Sequence, residues 1–366
     1  MNIKATLRSL LLDWLAARDD RYYWRQPSTH FQPAQGATFC LWQPDGKLGD
    51  SVIHTTFIHT LATQRPDMRI VIVCAPSLVG FWQRIPGVAM VVGASDSAQA
   101  IAAVKAARLS LDVFMSMEAF LSIDTARFIR ATKPRNCIGL NVGRYRAFTH
   151  SISDNTYDHP RRHVTERMRN LCELIQVPYV DASGLPSVAL SGRTDRVSLA
   201  DGTQHIFLNV YGAGPQKAFT DETVTWLIQE LRTLLPGAHI VLNVPANQRD
   251  RFAAYCGPSD GPRVSLAPEN MDLWELIALM AQCAAVVTPD TGIGHIAAAL
   301  RQPLTVFFED AHYTPVVWSP NTPTLEAVLP VTNGNVNLFD RKRGRTQVAD
   351  MCAQLTPGLA TPVAYT

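Results

Sequence analysis

From residue 37 onward, short runs of β-branched and apolar residues alternate with amphipathic segments whose apolar positions recur at helical spacing. In the first half the pattern predicts strands at Thr38–Gln43, Arg69–Ala75, Val88–Val92, Leu111–Met117 and Asn136–Val142. Helices are expected near 51–64, 97–108 and 118–131, with a longer amphipathic segment over His163–Gln176. A second series predicts strands at His205–Tyr211, His239–Val244, Arg263–Ala267, Ala284–Thr288 and Pro303–Phe308, with helices near 220–235, 247–255, 272–283 and 293–301. Such alternation is that of βαβ units wound into parallel sheets.

Residues 181–204 are rich in Ser, Gly, Pro and Asp without sustained periodicity, as a linker would be. The expected organisation is therefore a domain over 1–180, a linker over 181–204, a second domain over 205–320, and a tail over 321–366 with a final helix near Thr346–Leu355. Two doubly wound domains in tandem would bind a ligand between the facing carboxyl ends of their strands, where open α/β sheets expose loops and helix N-termini.

The first residues carry an apolar stripe of Ile3, Leu7, Leu10, Leu11, Trp14 and Leu15, with Lys4, Arg8 and Arg18 outside it. A helix packed on its own domain is expected, and a helix lying on a membrane surface is the second option. Asp13 interrupts the stretch and no small-residue cleavage site follows, which argues against a signal peptide. No apolar run approaches a transmembrane span.

Composition adds limits. Hydrophobic residues are 47% of the 366 and charged residues 17%, enough apolar material for two cores and too little polarity for a disordered chain. The seven cysteines are scattered through apolar runs with no C-x-x-C pair, so they read as buried thiols of a cytoplasmic protein and support no zinc or redox motif. The net charge of +2 conceals a basic stretch from Arg130 to Arg169. It is either a solvated surface or a docking face for an anionic acceptor, with Arg144 and Arg146 as candidate contacts. Nothing in the pattern points to a nucleic acid.

Three loops, each after a predicted strand and before a predicted helix, carry candidate chemistry. In Pro44-Asp45-Gly46-Lys47-Leu48-Gly49-Asp50, Asp50 reads either as a helix N-cap or as a carboxylate placed to accept a proton. In Gly212-Ala213-Gly214-Pro215-Gln216-Lys217, glycines ahead of a helix start and a lysine form a natural site for phosphate oxygens. The loop fits neither G-x-G-x-x-G nor the P-loop pattern. In Pro289-Asp290-Thr291-Gly292-Ile293-Gly294-His295, small residues would let the helix start lie close to a ligand, with Asp290 positioned to hold sugar hydroxyls.

The segment Asp290-Thr291-Gly292-Ile293-Gly294-His295-Ile296-Ala297-Ala298-Ala299-Leu300 resembles the signature of glycosyltransferase family 9, the lipopolysaccharide heptosyltransferases. Lys47-Leu48-Gly49-Asp50-Ser51-Val52-Ile53 resembles that family's N-terminal Gly-Asp motif, and Asn209 to Phe219 its central phosphate loop. The resemblance implies a GT-B fold, two Rossmann-like domains facing a central cleft. It also implies an inverting transfer, heptose passing from ADP-heptose to a lipopolysaccharide core acceptor. Because the chain has no D-x-D triplet and Lys217 with the helix starts near 220 and 292 can supply positive potential, no metal or other cofactor is expected.

By position it implies Asp50 as catalytic base, Lys217 as the lysine that neutralises donor phosphate, Asp290 as a donor-sugar contact, and Met271 packed against the nucleotide base. Gly212, Gly214, Thr291, Gly292 and His295 complete the implied donor site. The partners implied are a nucleotide-diphosphate sugar and a glycolipid or oligosaccharide acceptor; the basic 130–169 stretch and the first helix add an expected peripheral contact with an anionic membrane. The chain departs from the family pattern where Ala218-Phe219-Thr220 follows Lys217, and it has no matching ribose-binding acid near Asn243–Arg249. Alternatives are a family 9 transferase with another donor sugar or acceptor, or a GT-B nucleotide-sugar epimerase or binding protein.

Overall fold

A computed structural model describes residues 30–118, 121–140, 145, 147–152, 162–182, 185, 199, 202–256 and 263–355. The expected N-terminal helix and both Arg144 and Arg146 lie outside the described residues, as does most of the expected linker. The chain divides into two compact units, Met1–Gly184 and Leu185–Thr366.

The first unit holds strands β1 (Thr38–Gln43), β2 (Arg69–Cys74), β3 (Val88–Gly93), β4 (Val113–Ser116), β5 (Asn136–Leu140) and β6 (His150–Ile152). All pair in parallel in the order β3-β2-β1-β4-β5-β6. Its helices are α1 (Leu48–Gln64), α2 (Val79–Trp82), α3 (Ser97–Ala106), α4 (Ile123–Thr132) and α5 (Thr165–Leu174). Every residue of β1 is buried, as expected of a central strand covered on both faces. On one face Trp42 stacks on Phe128 of α4, with ring centroids 4.7 Å apart, and Phe114 of β4 completes the aromatic cluster.

The second unit repeats the plan. Strands β7 (His205–Asn209), β8 (His239–Asn243), β9 (Val264–Leu266), β10 (Ala285–Pro289), β11 (Leu304–Phe307) and β12 (Leu325–Val328) form a parallel sheet in the order β12-β11-β10-β7-β8-β9. Counted within the unit, that is again the Rossmann order, with the switch point between the first and fourth strands. The helices are α6 (Asp221–Leu234), α7 (Arg249–Ala253), α8 (Leu273–Gln282), α9 (Gly292–Ala299), α10 (Thr314–Val317) and α11 (Arg341–Ala353).

Two edge strands, β6 and β12, go beyond the sequence pattern. With β12, the segment read as a tail supplies the last strand of the second sheet, and Val348, Met351 and Cys352 of α11 join its core. That helix begins at Arg341, ahead of the expected start, because Asp340 caps it by accepting the Arg343 N–H at 2.7 Å.

Side-chain caps also begin α3 (Asp96), α4 (Ser122), α6 (Thr220) and α8 (Asp272, in a reciprocal box with Glu275). The helices that follow the Asp50 and Asp290 loops, α1 and α9, have none. Among the described residues, no helix is long and apolar enough to cross a membrane.

Candidate functional site

Each unit gathers its candidate residues at the carboxyl ends of its first and fourth strands. In the first unit Gly46, at φ +67°, turns the chain out of β1. The N-cap of α1 is Lys47, and Asp50 is the third residue of the helix, so the expectation of an Asp50 N-cap is corrected. Ser51 takes up the local bonding, its hydroxyl donating to the Lys47 carbonyl at 3.0 Å.

Asp50 therefore sits inside the first turn and not at its cap. Its carboxylate is 23% exposed and lies 4.0 Å from Lys47 Nζ; among the described residues no hydrogen bond reaches it. Burial and the neighbouring Asp45 push its pKa up to about 6, against the opposing charges of Lys47 and Arg167.

A pocket at this point is lined by Asp50 together with Trp42, Asp45, His54, Met117, Glu118 and Arg167. Arg167 sits on α5 and is buried, which corrects the solvated-surface reading for this member of the basic stretch. Burial and the Arg167 charge push His54 down to about 3, so the imidazole is neutral at ordinary pH. Its Nδ1 meets Gln43 Oε1 at 3.2 Å, and Gln43 Nε2 donates to Ser51 Oγ at 2.9 Å, which ties β1 to the floor of the first helical turn. Glu118, after β4, accepts from the hydroxyls of Thr125 and Ser122, and burial raises its pKa.

In the second unit, Lys217 leaves a short 3₁₀ turn after β7 and reaches two carboxylates. Its Nζ is 2.8 Å from Asp290 Oδ2, at the end of β10, and 3.1 Å from Glu309 Oε1, just past β11. Lys217's own burial works to lower its pKa, and the two carboxylates outweigh this and raise it. Burial pushes Asp290 up, and the lysine opposes.

Glycine is required at two points of the Lys217 loop. A Cβ on Gly212 would stand 2.6 Å from both the Lys217 carbonyl oxygen and Thr291 Cγ2, and Gly214 lies at φ +107°. Asn209, the last residue of β7, binds the loops together, donating to the Tyr211 carbonyl at 2.8 Å and to Thr288 Oγ1 at 2.9 Å, and accepting from Asn243 at 3.0 Å. Thr291, the N-cap of α9, turns its hydroxyl toward Asn209 and Thr288 and leaves the helix's first N–H groups without a side-chain cap. Gly292 opens that helix, and His295 is buried within it.

A turn between β12 and α11 braces both loops around the lysine. Val336 N donates to the Gln216 carbonyl at 3.0 Å, Asn337 Nδ2 to Ala218 O at 2.9 Å, and Gly334 N to Glu309 O at 2.6 Å. The departure after Lys217 serves packing: Phe219 is buried edge-on to Phe307, and Thr220 caps α6.

Of the residues singled out from sequence, the structure brings Gly212, Lys217, Asp290 and Thr291 together, with Gly214 shaping the same loop. Met271 is half-buried just ahead of the Asp272 cap, past β9 at the far edge of the same sheet end. Sequence reasoning missed Glu118, Glu309 and Asn337, and took Arg167 only as one charge of a basic stretch. Glu309 could have been found from its place directly after a predicted strand, as Asp290 was; Arg167 and Asn337 carry no such local signal. Among the described residues no group of three or more His, Cys, Asp or Glu side chains is arranged to hold a metal.

Comparison with known proteins follows this geometry. A search of curated proteins finds no match. Among solved structures, ADP-heptose lipopolysaccharide heptosyltransferase II of E. coli is similar at a TM-score of 0.63 and 18% identity, over 86% of this chain and 98% of that one. A family 9 glycosyltransferase from Veillonella parvula gives 0.70 and 12%, over 89% and 100%. E. coli heptosyltransferase WaaC, solved with ADP, gives 0.65 and 15%, over 86% and 99%. These likenesses establish the fold, two Rossmann-like units of the GT-B class. The family model for glycosyltransferase family 9 (heptosyltransferase) matches residues 112–343, well over half of the chain, and the chain belongs to that family.

Proposed function

We propose that this glycosyltransferase is an inverting heptosyltransferase that transfers heptose from ADP-heptose to a lipopolysaccharide core acceptor, with Asp50 as general base. The observation that carries the reading is the state of Asp50: mostly buried, third in an uncapped first turn, and held to neighbours only by a 4.0 Å ion pair among the described residues. The family match begins at Asp112, after this loop, so the support for Asp50 is its placement and its resemblance to the family's Gly-Asp motif.

A carboxylate with a pKa near 6 is ionised at neutral pH yet basic enough to take a proton as the acceptor oxygen attacks. The acceptor oxygen bonds to the anomeric carbon as the bond from that carbon to the phosphate oxygen breaks. The electron pair stays on the phosphate, and a single displacement inverts the centre.

In this reading the donor diphosphate lies against the Gly212–Lys217 loop and the open start of α9, where uncapped N–H groups and the Lys217 ammonium can meet phosphate oxygens without a metal. Asp290 then holds sugar hydroxyls, and Met271 lies farther along the sheet end toward the nucleotide base. The enzyme would work in the cytoplasm at the membrane face, meeting its glycolipid acceptor there. Mass spectrometry of lipopolysaccharide from cells with and without the gene tests the proposal, since a core lacking one heptose is expected and an unchanged core would sink it. The departure at Ala218–Thr220 favours, as second reading, a family 9 transferase with a different donor sugar; a missing residue of another mass would select it.

A further inference from the structure

The Lys217 ammonium is held between two carboxylates, so the region assigned to the donor diphosphate carries a net negative charge of its side chains, with Asp310 beside it. Asp310 is committed to the backbone, its Oδ1 accepting from the N–H groups of His312 at 2.9 Å and Tyr313 at 2.6 Å at the start of α10. Asp290 is almost fully buried against the lysine. Glu309 is the more exposed partner: its side chain is 24% exposed against 9% for Asp290, it meets Lys217 at 3.1 Å, and its backbone is pinned by Gly334.

A lysine so engaged is a weaker attractor of phosphate than a free one, which is a cost unless the site must also let phosphate go. In the donor each of the two phosphates carries one ester bond, shares the anhydride between them and bears one negative charge. After transfer the terminal phosphate keeps only its anhydride bond and gains about one more negative charge at neutral pH.

We infer that Glu309 is the residue that discriminates against the nucleoside diphosphate product, offsetting part of the Lys217 charge so that the donor is retained and the more anionic leaving group is expelled. This rests on the donor-site assignment above. The effect is Coulombic: a carboxylate near the phosphates repels the more highly charged product more strongly than it repels the donor. It acts on release of the product rather than on the displacement itself.

The test is calorimetric titration of the full chain with ADP and with ADP-glucose, a probe esterified on both phosphates, for wild type, Glu309→Gln and Glu309→Asp, with thermal unfolding to confirm the fold of each. Glu309→Gln should bind ADP about tenfold more tightly and ADP-glucose no more than about threefold more tightly. Glu309→Asp, which keeps the charge, should keep the wild-type ratio. In turnover assays the inhibition constant for ADP should fall in parallel in Glu309→Gln. Unchanged or weaker ADP binding in folded Glu309→Gln, or equal tightening of both probes, would overturn the inference while leaving the donor site intact. Failure of the wild-type chain to bind either probe would overturn the donor-site assignment itself, and this inference with it.

Discussion

Two aspartates stand at helix starts in the two units, and their surroundings differ sharply. Asp290 has a lysine at 2.8 Å, whereas Asp50 has one at 4.0 Å that is itself 66% exposed. Both are largely buried, so both carry a desolvation penalty when ionised. The structure offsets it closely for Asp290 and loosely for Asp50. A carboxylate locked to a cation is suited to fixing a ligand; one left with its charge poorly compensated is suited to accepting a proton.

The sharpest way to break this comparison is Asp50→Asn. If Asp50 is the base, turnover should fall by about 10²–10⁴ with donor affinity unchanged. The wild-type acidic limb of kcat/KM should lie near pH 6, the Asp50 value, with activity rising as the carboxylate ionises. A pH–rate profile and an isothermal donor titration check this, and near-normal turnover in the variant would remove Asp50 from the chemistry.

Lys217→Met probes the other side. It strands two carboxylates that now share one cation, and because the lysine is only partly buried the loss should be about 1–3 kcal/mol of stability, below that of a fully buried pair. Donor binding should weaken as well. Adding Asp290→Asn should recover part of the stability, which a double-mutant cycle in denaturant measures.

The two aspartates should also separate in stability against pH. The folded pKa of Asp50 lies above the ordinary carboxylate value, so the native state holds its proton longer than the unfolded chain. Ionising Asp50 therefore costs stability as pH rises from about 4 to about 6, and the cost persists above that. Asp50→Asn should then be more stable than wild type by about 1–2 kcal/mol at pH 7.5, allowing for partial exposure, and equal to it near pH 4. Thermal unfolding at the two pH values checks the sign. The smallest expected change is none: turnover should survive EDTA, and loss of activity rescued by magnesium would require the phosphate site to be reassigned.

Most of the fold could be read from the chain because central parallel strands are apolar throughout, as at Ile70–Cys74 and Ala285–Val287. Of the four edge strands β3 and β9 were read and β6 and β12 escaped: His150–Ile152 has three residues with Ser151 exposed between two buried ones, and only the last residue of Leu325–Val328 is buried. The candidate loops were legible because glycines and a charged residue follow a strand within a few positions. Their surroundings were not. Arg167 reaches the Asp50 pocket from a helix more than a hundred residues away, and Asn337 supports the lysine loop from beyond β12. Asp50 itself looked like a cap, since a carboxylate at a helix start satisfies either role; the choice depended on the helix beginning earlier, with Lys47 as its N-cap.

The repeated strand order bears on how such a chain can diverge. In both halves the candidate residues sit on loops that leave the first and fourth strands, outside the packed layers. Substitutions in those loops leave the cores beneath unaltered, because the loops lie outside the packed strands and helices. Gly212 marks the boundary of that freedom. Any side chain there collides with the backbone of its own loop and with the threonine that opens α9, so a lineage may alter what the loop binds but cannot cheaply alter how it turns.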